Sequence, residues 1–417
     1  MSADSMTPES LNFQSTPEHA APNHAMPPQA KLALKALAKL QYGALALKLP
    51  SGGSLHFGDS SPPITLTLKN WQLFHAVLKS GDIGLAETYI DGHWHTDNLQ
   101  GLIALFIRNR TAVESLIYGT WWGSLWYRVK HLFNRNSRSG SRKNIHAHYD
   151  IGNDFYRLWL DPSMTYSAAL YCDGHVDNLH EAQVAKYRRI LDQLQLQPHQ
   201  RVLEIGCGWG GFAELAAAEQ ASQVTSLTLS TEQLAYAKNR LPIEVASGQV
   251  EFRLCDYRDI HHTEPAFDAI ASIEMFEAVG EAYWPSYFAC LARNLKAHGR
   301  ACIQTITIDD ALFERYRKGT DFIQQFIFPG GMLPSPRVFR QLAAQHGLRV
   351  VDEFAFGLDY ARTLAEWRLA FNAQLPQVKA QGFDDTFLRT WEFYLSYSEG
   401  GFRAESIDVM QFTLEKI

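Results

Sequence analysis

The sequence predicts an α/β fold, a mainly parallel sheet covered by helices on both faces, with a smaller α+β domain in front of it. Three observations carry this. From Gln200 onward, short apolar strands alternate with helical segments, the pattern of a parallel sheet. One of these strands runs directly into a glycine-rich turn and then a helix, RVLEIGCGWGGFAEL from Arg201 to Leu215. Upstream, residues 31–133 mix helix-like and alternating stretches without that regular order.

Taken in order, the 417 residues suffice for two folded units and accessory segments. Residues 1–30 are rich in Ser, Pro and polar side chains, with neither a basic nor an apolar signal region, and read as a disordered tail. Residues 31–133 form the first domain. It opens on an apolar helix-like segment and holds an alternating strand with Ile64, Leu66 and Leu68 on one face; Gly52, Gly53, Pro62 and Pro63 mark turns. The basic, Gly/Ser-containing stretch NRNSRSGSRKN, residues 134–144, is the expected linker. The second domain, 145–417, should hold strands at 201–205, 223–229, 250–254, 268–273, 301–308 and 349–356. Helices are expected over 211–221, over 231–240 behind the capping pattern Ser230-Thr-Glu-Gln233, and between Ser335-Pro336 and Gly347.

Composition narrows the function classes. Hydrophobic residues are 46% and charged residues 20%, a globular balance, and the net charge of -6 gives no overall attraction to an anionic surface or nucleic acid. The five cysteines, Cys172, Cys207, Cys255, Cys290 and Cys302, form no C-x-x-C pair, which suits a reducing cytosol. No stretch approaches the ~18–20 apolar residues that span a bilayer. His146, His148, His261 and His262 lack the spacing of a metal site, and no metal is expected.

The glycine turn is the most informative local feature. Gly206, Gly208 and Gly210 let the backbone turn sharply and approach a ligand without Cβ contacts. A pyrophosphate fingerprint wants G-x-G-x-x-G, whereas this loop is G-x-G-x-G behind Glu204. A carboxylate there repels phosphate and favours a ligand carrying positive charge, such as a sulfonium. A nucleotide-type methyl donor is therefore favoured over NAD or FAD.

Many further motifs occur in a fixed order: DIGLAETYIDGHW (82–94), HYDIGNDFYRLWLDPSMTYS (148–167), LTLSTEQ (227–233), CDYRDI (255–260), SIEMFEAVG (272–280), FIFPGGMLPS (326–335), DYARTLAEW (359–367) and FYLSYSEGGF (393–402). With these the chain resembles the cyclopropane fatty acid synthase and mycolic acid methyltransferase family over nearly its whole length after the tail. The resemblance implies a Rossmann-like class I S-adenosylmethionine-dependent methyltransferase. It places the cofactor on Tyr166 and Ser167, on Glu204, Gly206, Cys207, Gly208 and Gly210, on Thr228, Ser230 and Gln233, and on Asp256 and Tyr257 near the adenine.

It also implies the chemistry. Methyl transfer to the cis double bond of an unsaturated phospholipid acyl chain leaves a carbocation, which must be kept from water, faced by aromatic rings and deprotonated to close a cyclopropane. Phe322, Phe326, Phe328, Tyr360 and Trp367 are candidate rings. In the family the base is a bound bicarbonate, which the resemblance places on Glu277, Gln304, the Ile306 backbone and Tyr360. Two adjacent anions would have to share a proton. Replacing Glu277 by Gln is expected to cripple turnover and spare cofactor binding. The chain departs from the family at Ala168 and Ser398, where cysteines are usual, and at Gln304, where a histidine is usual. These departures leave bicarbonate use and the product open between a ring and a methylene- or methyl-branched chain.

Between Glu114 and Asp150 no acid occurs, while Arg128, Lys130, Arg135, Arg138, Arg142 and Lys143 accompany Trp121, Trp122, Trp126 and Tyr127. Tryptophan with basic residues favours the headgroup boundary, so peripheral contact with the inner membrane surface is expected. No recognition motif supports nucleic-acid binding. A homodimer, a non-catalytic lipid-binding role and methylation of a small soluble acceptor stay open from the residues alone.

Overall fold

The computed structural model describes residues 26–113, 151–171, 175–220, 222–260 and 266–417. The expected linker 134–144 and the basic-aromatic stretch after Glu114 lie outside the described residues, as do Cys172 and the four histidines named above. Residues 26–113 belong to one compact unit and those from 151 onward to another.

The first unit is α+β. Its sheet has the order β2-β1-β3-β4, built from β1 (Ala44–Lys48), β2 (Ser54–Gly58), β3 (Ile64–Leu68) and β4 (Trp94–Thr96). Strands β1 and β2 pair antiparallel, and β1 and β3 pair parallel. Leu66 and Leu68 are buried as the alternation in β3 requires. A helix already begins at Pro28, inside the stretch read as a tail, with proline at its first position. Asn109 anchors the chain between that helix and β1: its Oδ1 accepts from the Gln41 and Tyr42 N–H groups at 2.7 and 3.1 Å.

The second unit carries a seven-stranded sheet in the order β10-β11-β9-β8-β5-β6-β7. Its strands are β5 (Arg201–Ile205), β6 (Gln223–Thr228), β7 (Val250–Leu254), β8 (Phe267–Ile273), β9 (Leu295–Ile308), β10 (Leu348–Ala355) and β11 (Ile407–Lys416). Strands β5 to β9 run parallel, and β11 lies antiparallel between β9 and β10. This is the open, mainly parallel Rossmann-like sheet that the sequence predicts. The last strand was not foreseen because it has no alternation to read: residues 409–414 are all buried although Gln411 and Thr413 are polar.

Strand order reverses at β5, which has β6 on one side and β8 on the other, so the loops at their C-terminal ends diverge and open a crevice. The helices Gly357–Ala373 and Asp385–Arg403 also belong to this unit. Glu399, fully buried on the second, is held by Arg368 at 3.0 Å and Arg403 at 2.8 Å. Pairing of this kind is what makes a buried charge tolerable.

Candidate active site

A cavity lies at the C-terminal ends of β5, β6, β7 and β8. The glycine turn forms one wall. Gly206, Gly208 and Gly210 all have positive φ, at 90°, 50° and 89°, a region L side chains rarely adopt. Cβ atoms at Gly206 and Gly210 would meet Met275 at 2.9 Å and Ala237 at 3.2 Å, whereas one at Gly208 meets nothing within 4 Å. Two glycines therefore serve packing, and Gly208 leaves open space beside the cavity it lines.

Glu204 is buried on the same wall and accepts from Ser226 Oγ at 2.6 Å, its cross-strand neighbour. Burial pushes its carboxyl up to about 7. A cationic group bound in the cavity would draw it back toward the ionised form. Thr228 Oγ1 donates to Gln233 Oε1 at 2.9 Å and accepts from the Ser230 N–H at 3.1 Å. The capping box is half made: Ser230 Oγ accepts from the Gln233 N–H, while the Gln233 side chain turns to Thr228. Asp256 is clamped by Arg258 through bonds of 2.8 and 2.5 Å.

Of the twelve residues expected at the cofactor, ten line this cavity: Tyr166, Ser167, Glu204, Gly206, Cys207, Gly208, Thr228, Gln233, Asp256 and Tyr257. Gly210 and Ser230 do not, and act instead on the turn and the helix cap. A glycine cradle, a buried acid and a ring of polar side chains suit a positively charged nucleoside donor, so the residues fit S-adenosylmethionine.

The expected bicarbonate ligands are arranged otherwise than the sequence suggested. Glu274, which follows β8 and lines the cavity, sits on them. Its Oε1 accepts from the Ala168 N–H and from Gln304 Nε2, each at 2.7 Å, and its Oε2 accepts from the Tyr360 hydroxyl at 2.7 Å. Gln304 and Tyr360 thus give their hydrogens to a carboxylate of the chain itself. A bound bicarbonate would lack these two donors and would face a second negative charge, so it does not fit this arrangement. Glu274 has φ +49°, a strained value for a non-glycine residue, and its own N–H donates to the Gln304 carbonyl at 2.8 Å.

Glu277 and Ile306 do meet as expected: the Ile306 N–H donates to Glu277 Oε1. Glu277 Oε2 has no hydrogen-bond partner among the described residues. Burial, and then the charge of Glu274, push the Glu277 carboxyl up to about 8. Glu274 is also raised by burial, but three donors and Lys186 oppose that. Of the two acids, Glu274 is therefore the one whose surroundings favour the charged form, and Glu277 the one held toward the neutral form.

The orientation of the Gln304 amide follows from the register. Gln411 faces Gln304 across β9 and β11, and its Nε2 donates to Gln304 Oε1 at 3.0 Å. Its Oε1 accepts from Arg189 at 2.7 Å. A guanidinium only donates, so each amide must hand its NH2 group onward, and the relay ends with a hydrogen pointed at Glu274.

Tyr360 and Trp367 do not line the cavity but pack toward Tyr166, which does: Trp367 lies 5.3 Å from Tyr166 and 6.1 Å from Tyr360, centroid to centroid. Phe322 is instead buried against Phe393 at 4.8 Å, Phe326 stacks on Phe322 with its face exposed, and Phe328 meets Tyr394. Ser398 is half-buried on helix Asp385–Arg403 and takes no part in the bonds described for Glu274 and Glu277. Three contributors went unread in the sequence. Glu274 was visible as a second acid in SIEMFEAVG. Lys186, fully buried and bonded to Ser167 Oγ and Gln183 at 2.7 Å, could have been found from the spacing of Ala182, Lys186 and Ile190 on one helix face. Gln411 had no local signal.

Residues 136–412 match the mycolic acid cyclopropane synthetase family. The chain is 35% identical over 379 residues to a tuberculostearic acid methyltransferase of Mycobacterium tuberculosis, covering 89% of this chain and 87% of that protein. It is 36% identical over 363 residues to the cyclopropane-fatty-acyl-phospholipid synthase of Escherichia coli, covering 86% and 89%. A crystal structure of a mycolic acid cyclopropane synthase complexed with SAH and CTAB superposes with a TM-score of 0.61 at 32% identity, over 66% of this chain and 98% of that one. A coclaurine N-methyltransferase bound to N-methylheliamine and SAH reaches 0.61 at 19% identity over 80% of this chain and 99% of that one, a likeness of fold alone.

Proposed function

As a member of the mycolic acid cyclopropane synthetase family, the chain is an S-adenosylmethionine-dependent methyltransferase, and we propose that it methylates the cis double bond of unsaturated acyl chains in membrane phospholipids. The observation that carries the reading is a buried carboxylate, Glu274, lining the donor cavity beside the rings of Tyr166, Tyr360 and Trp367. S-adenosylmethionine supplies a methyl group on a sulfonium, which the π pair of the double bond takes up, leaving a neutral thioether and a cation on the acyl chain.

The chain's own residues then have three tasks. The aromatic faces offset the cation, the buried setting keeps water from capturing it, and a carboxylate accepts a proton. Loss of that proton from the added methyl group, with its electron pair closing on the cationic carbon, gives the cyclopropane. Because Glu274 takes Gln304 and Tyr360 for itself, a second product is favoured as the alternative: proton loss from a neighbouring chain carbon leaves a methyl-branched, still unsaturated chain, and a hydride shift onto the cationic carbon followed by loss of a methyl proton leaves a methylene branch. The chain would reach its substrate from the cytosolic side, with the basic-aromatic residues after Glu114 at the headgroups.

Purified protein with methyl-labelled S-adenosylmethionine and vesicles of cis-monounsaturated phospholipid tests the assignment. One added methylene unit with unsaturation lost means the ring, and retained unsaturation means the branch. Label confined to a soluble acceptor would overturn the lipid reading.

A further inference from the structure

We propose that Glu274 is the catalytic base, a carboxylate built into the chain that does the work bicarbonate does elsewhere in the family. This rests on the lipid-chain methylation proposed above.

Position argues first. Of the two acids, Glu274 lines the donor cavity and Glu277 does not. A base has to reach the carbon that loses its proton, and that carbon is the transferred methyl itself or a chain carbon close to it.

Hydrogen bonding argues next. All three side-on partners of Glu274 turn a donor toward it. Ala168 offers a backbone N–H, Gln304 has its amide turned by the Arg189–Gln411 relay, and Tyr360, buried beside an acid, keeps its proton. A proton on Glu274 Oε2 would displace the Tyr360 donor and leave only the Ala168 and Gln304 bonds aimed at the other oxygen. The arrangement therefore holds Glu274 as an anion in a dry site, ready to accept a proton, while Glu277 stays neutral at its side. The step balances: the C–H pair becomes the closing carbon–carbon bond of the ring, or the new double bond of the branched product, the proton moves to Glu274, and the cation is discharged.

The backbone agrees. A φ of +49° is an uncommon setting for a glutamate, and strain of this kind, about 1–3 kcal/mol, persists where the surroundings over-determine it. Here four hydrogen bonds do so, the fourth being the Glu274 N–H to the Gln304 carbonyl.

Two variants separate the roles. Glu274→Gly removes the carboxylate, suits the positive φ, and opens the space in front of Ala168, Gln304 and Tyr360. Glu274→Gln fills that space without a base. In degassed, bicarbonate-free buffer the wild type should turn over at its full rate and be unmoved by added bicarbonate. Glu274→Gly should fall roughly 100-fold or more, the usual weight of a general base, and recover at least about tenfold with millimolar bicarbonate. Glu274→Gln should fall as far and not recover. Binding of S-adenosylhomocysteine, measured by calorimetry, should stay within about threefold in all three, a loss of under 1 kcal/mol. Titration with carbon-13 bicarbonate, followed by NMR, should give saturable binding in Glu274→Gly and none in the wild type.

A wild type that needs bicarbonate or binds it saturably, or a Glu274→Gln enzyme that stays active, overturns the proposal. A wild type that labels no lipid sinks the functional reading instead. The NMR titration still decides, in that event, whether Glu274 holds the place of the anion.

Discussion

Replacing Glu277 by Gln should leave turnover nearly intact at pH 7 and make the protein more stable, the reverse of what the sequence alone suggests. The carboxyl is pushed up to about 8 from an ordinary 4.5 by burial and by Glu274. The folded state thus binds more protons than the unfolded state between those values, and stability falls as pH rises through that window. At pH 7 the window is 2.5 units deep, since 7 less 4.5 is 2.5; at 1.36 kcal/mol per unit the cost is about 3 kcal/mol. A glutamine there resembles the neutral acid, accepts the Ile306 N–H in the same way, and escapes that cost. Thermal or urea unfolding at pH 5, 6, 7 and 8 measures the difference: near zero at pH 5 and growing by about 1 kcal/mol per unit. Turnover at pH 7 should stay within about fivefold, or 1 kcal/mol in the barrier. Equal stabilities at every pH, or a loss near 100-fold in rate, would refute the reasoning and make Glu277 the working carboxylate.

Other expectations follow from the same geometry. Gly210→Ala should destabilise by about 2–4 kcal/mol, combining positive-φ strain with crowding against Ala237, while Gly208→Ala should cost only about 1 kcal/mol of stability and show its damage in calorimetric cofactor affinity; equal melting losses would mean that both glycines only pack. Gln411→Glu keeps the Arg189 contact but cannot donate to Gln304, so the amide relay reverses and a carbonyl oxygen meets Glu274; turnover should drop roughly tenfold or more with the acidic limb of its pH profile moved upward, and an unmoved profile would make Gln411 merely structural. Neutralising Arg138, Arg142 and Lys143 should weaken sedimentation with anionic vesicles by about 1 kcal/mol per charge, and unchanged binding would remove that patch from the mechanism.

How far the sequence reached depends on whether a signal is local. The strands at 201–205, 223–228 and 250–254 and the helix behind Ser230 were legible because an apolar run, a cap and a glycine turn all lie within a few residues. Strand β11 was not, since burying Gln411 and Thr413 needs partners more than a hundred residues away, Gln304 and Cys302 among them. The glycine-turn wall of the cavity was readable for the same reason as the strands. The carboxylate cluster was readable only as a set of residues: Glu277, Gln304, Ile306 and Tyr360 are all at the site, yet what the amide and the phenol hold depends on the backbone turn at Glu274, which no residue spacing reveals. Arg189 and Lys186 share one amphipathic helix, where the charged letters KYRR suggest a solvent face although Lys186 is fully buried.

The charges around the cavity obey a common constraint. A pocket dry enough to protect a carbocation penalises every ionised group in it, and the effect is visible in Glu204 raised to about 7, Glu277 to about 8 and Lys186 lowered to about 7, burial leading in each. Chemistry on a cation nevertheless requires one dependable anion near the reacting carbon. Solvent cannot hold it there, and a diffusible anion must first be desolvated and captured. Donors fixed by the fold accomplish this without water: the Ala168 backbone N–H, a phenol on the helix Gly357–Ala373, and an amide of β9 whose direction is set by Arg189 through Gln411. The unforeseen antiparallel strand is therefore part of the active site's electrostatics, because it carries Gln411 into register with Gln304 and so transmits the one-way polarity of a guanidinium to Glu274.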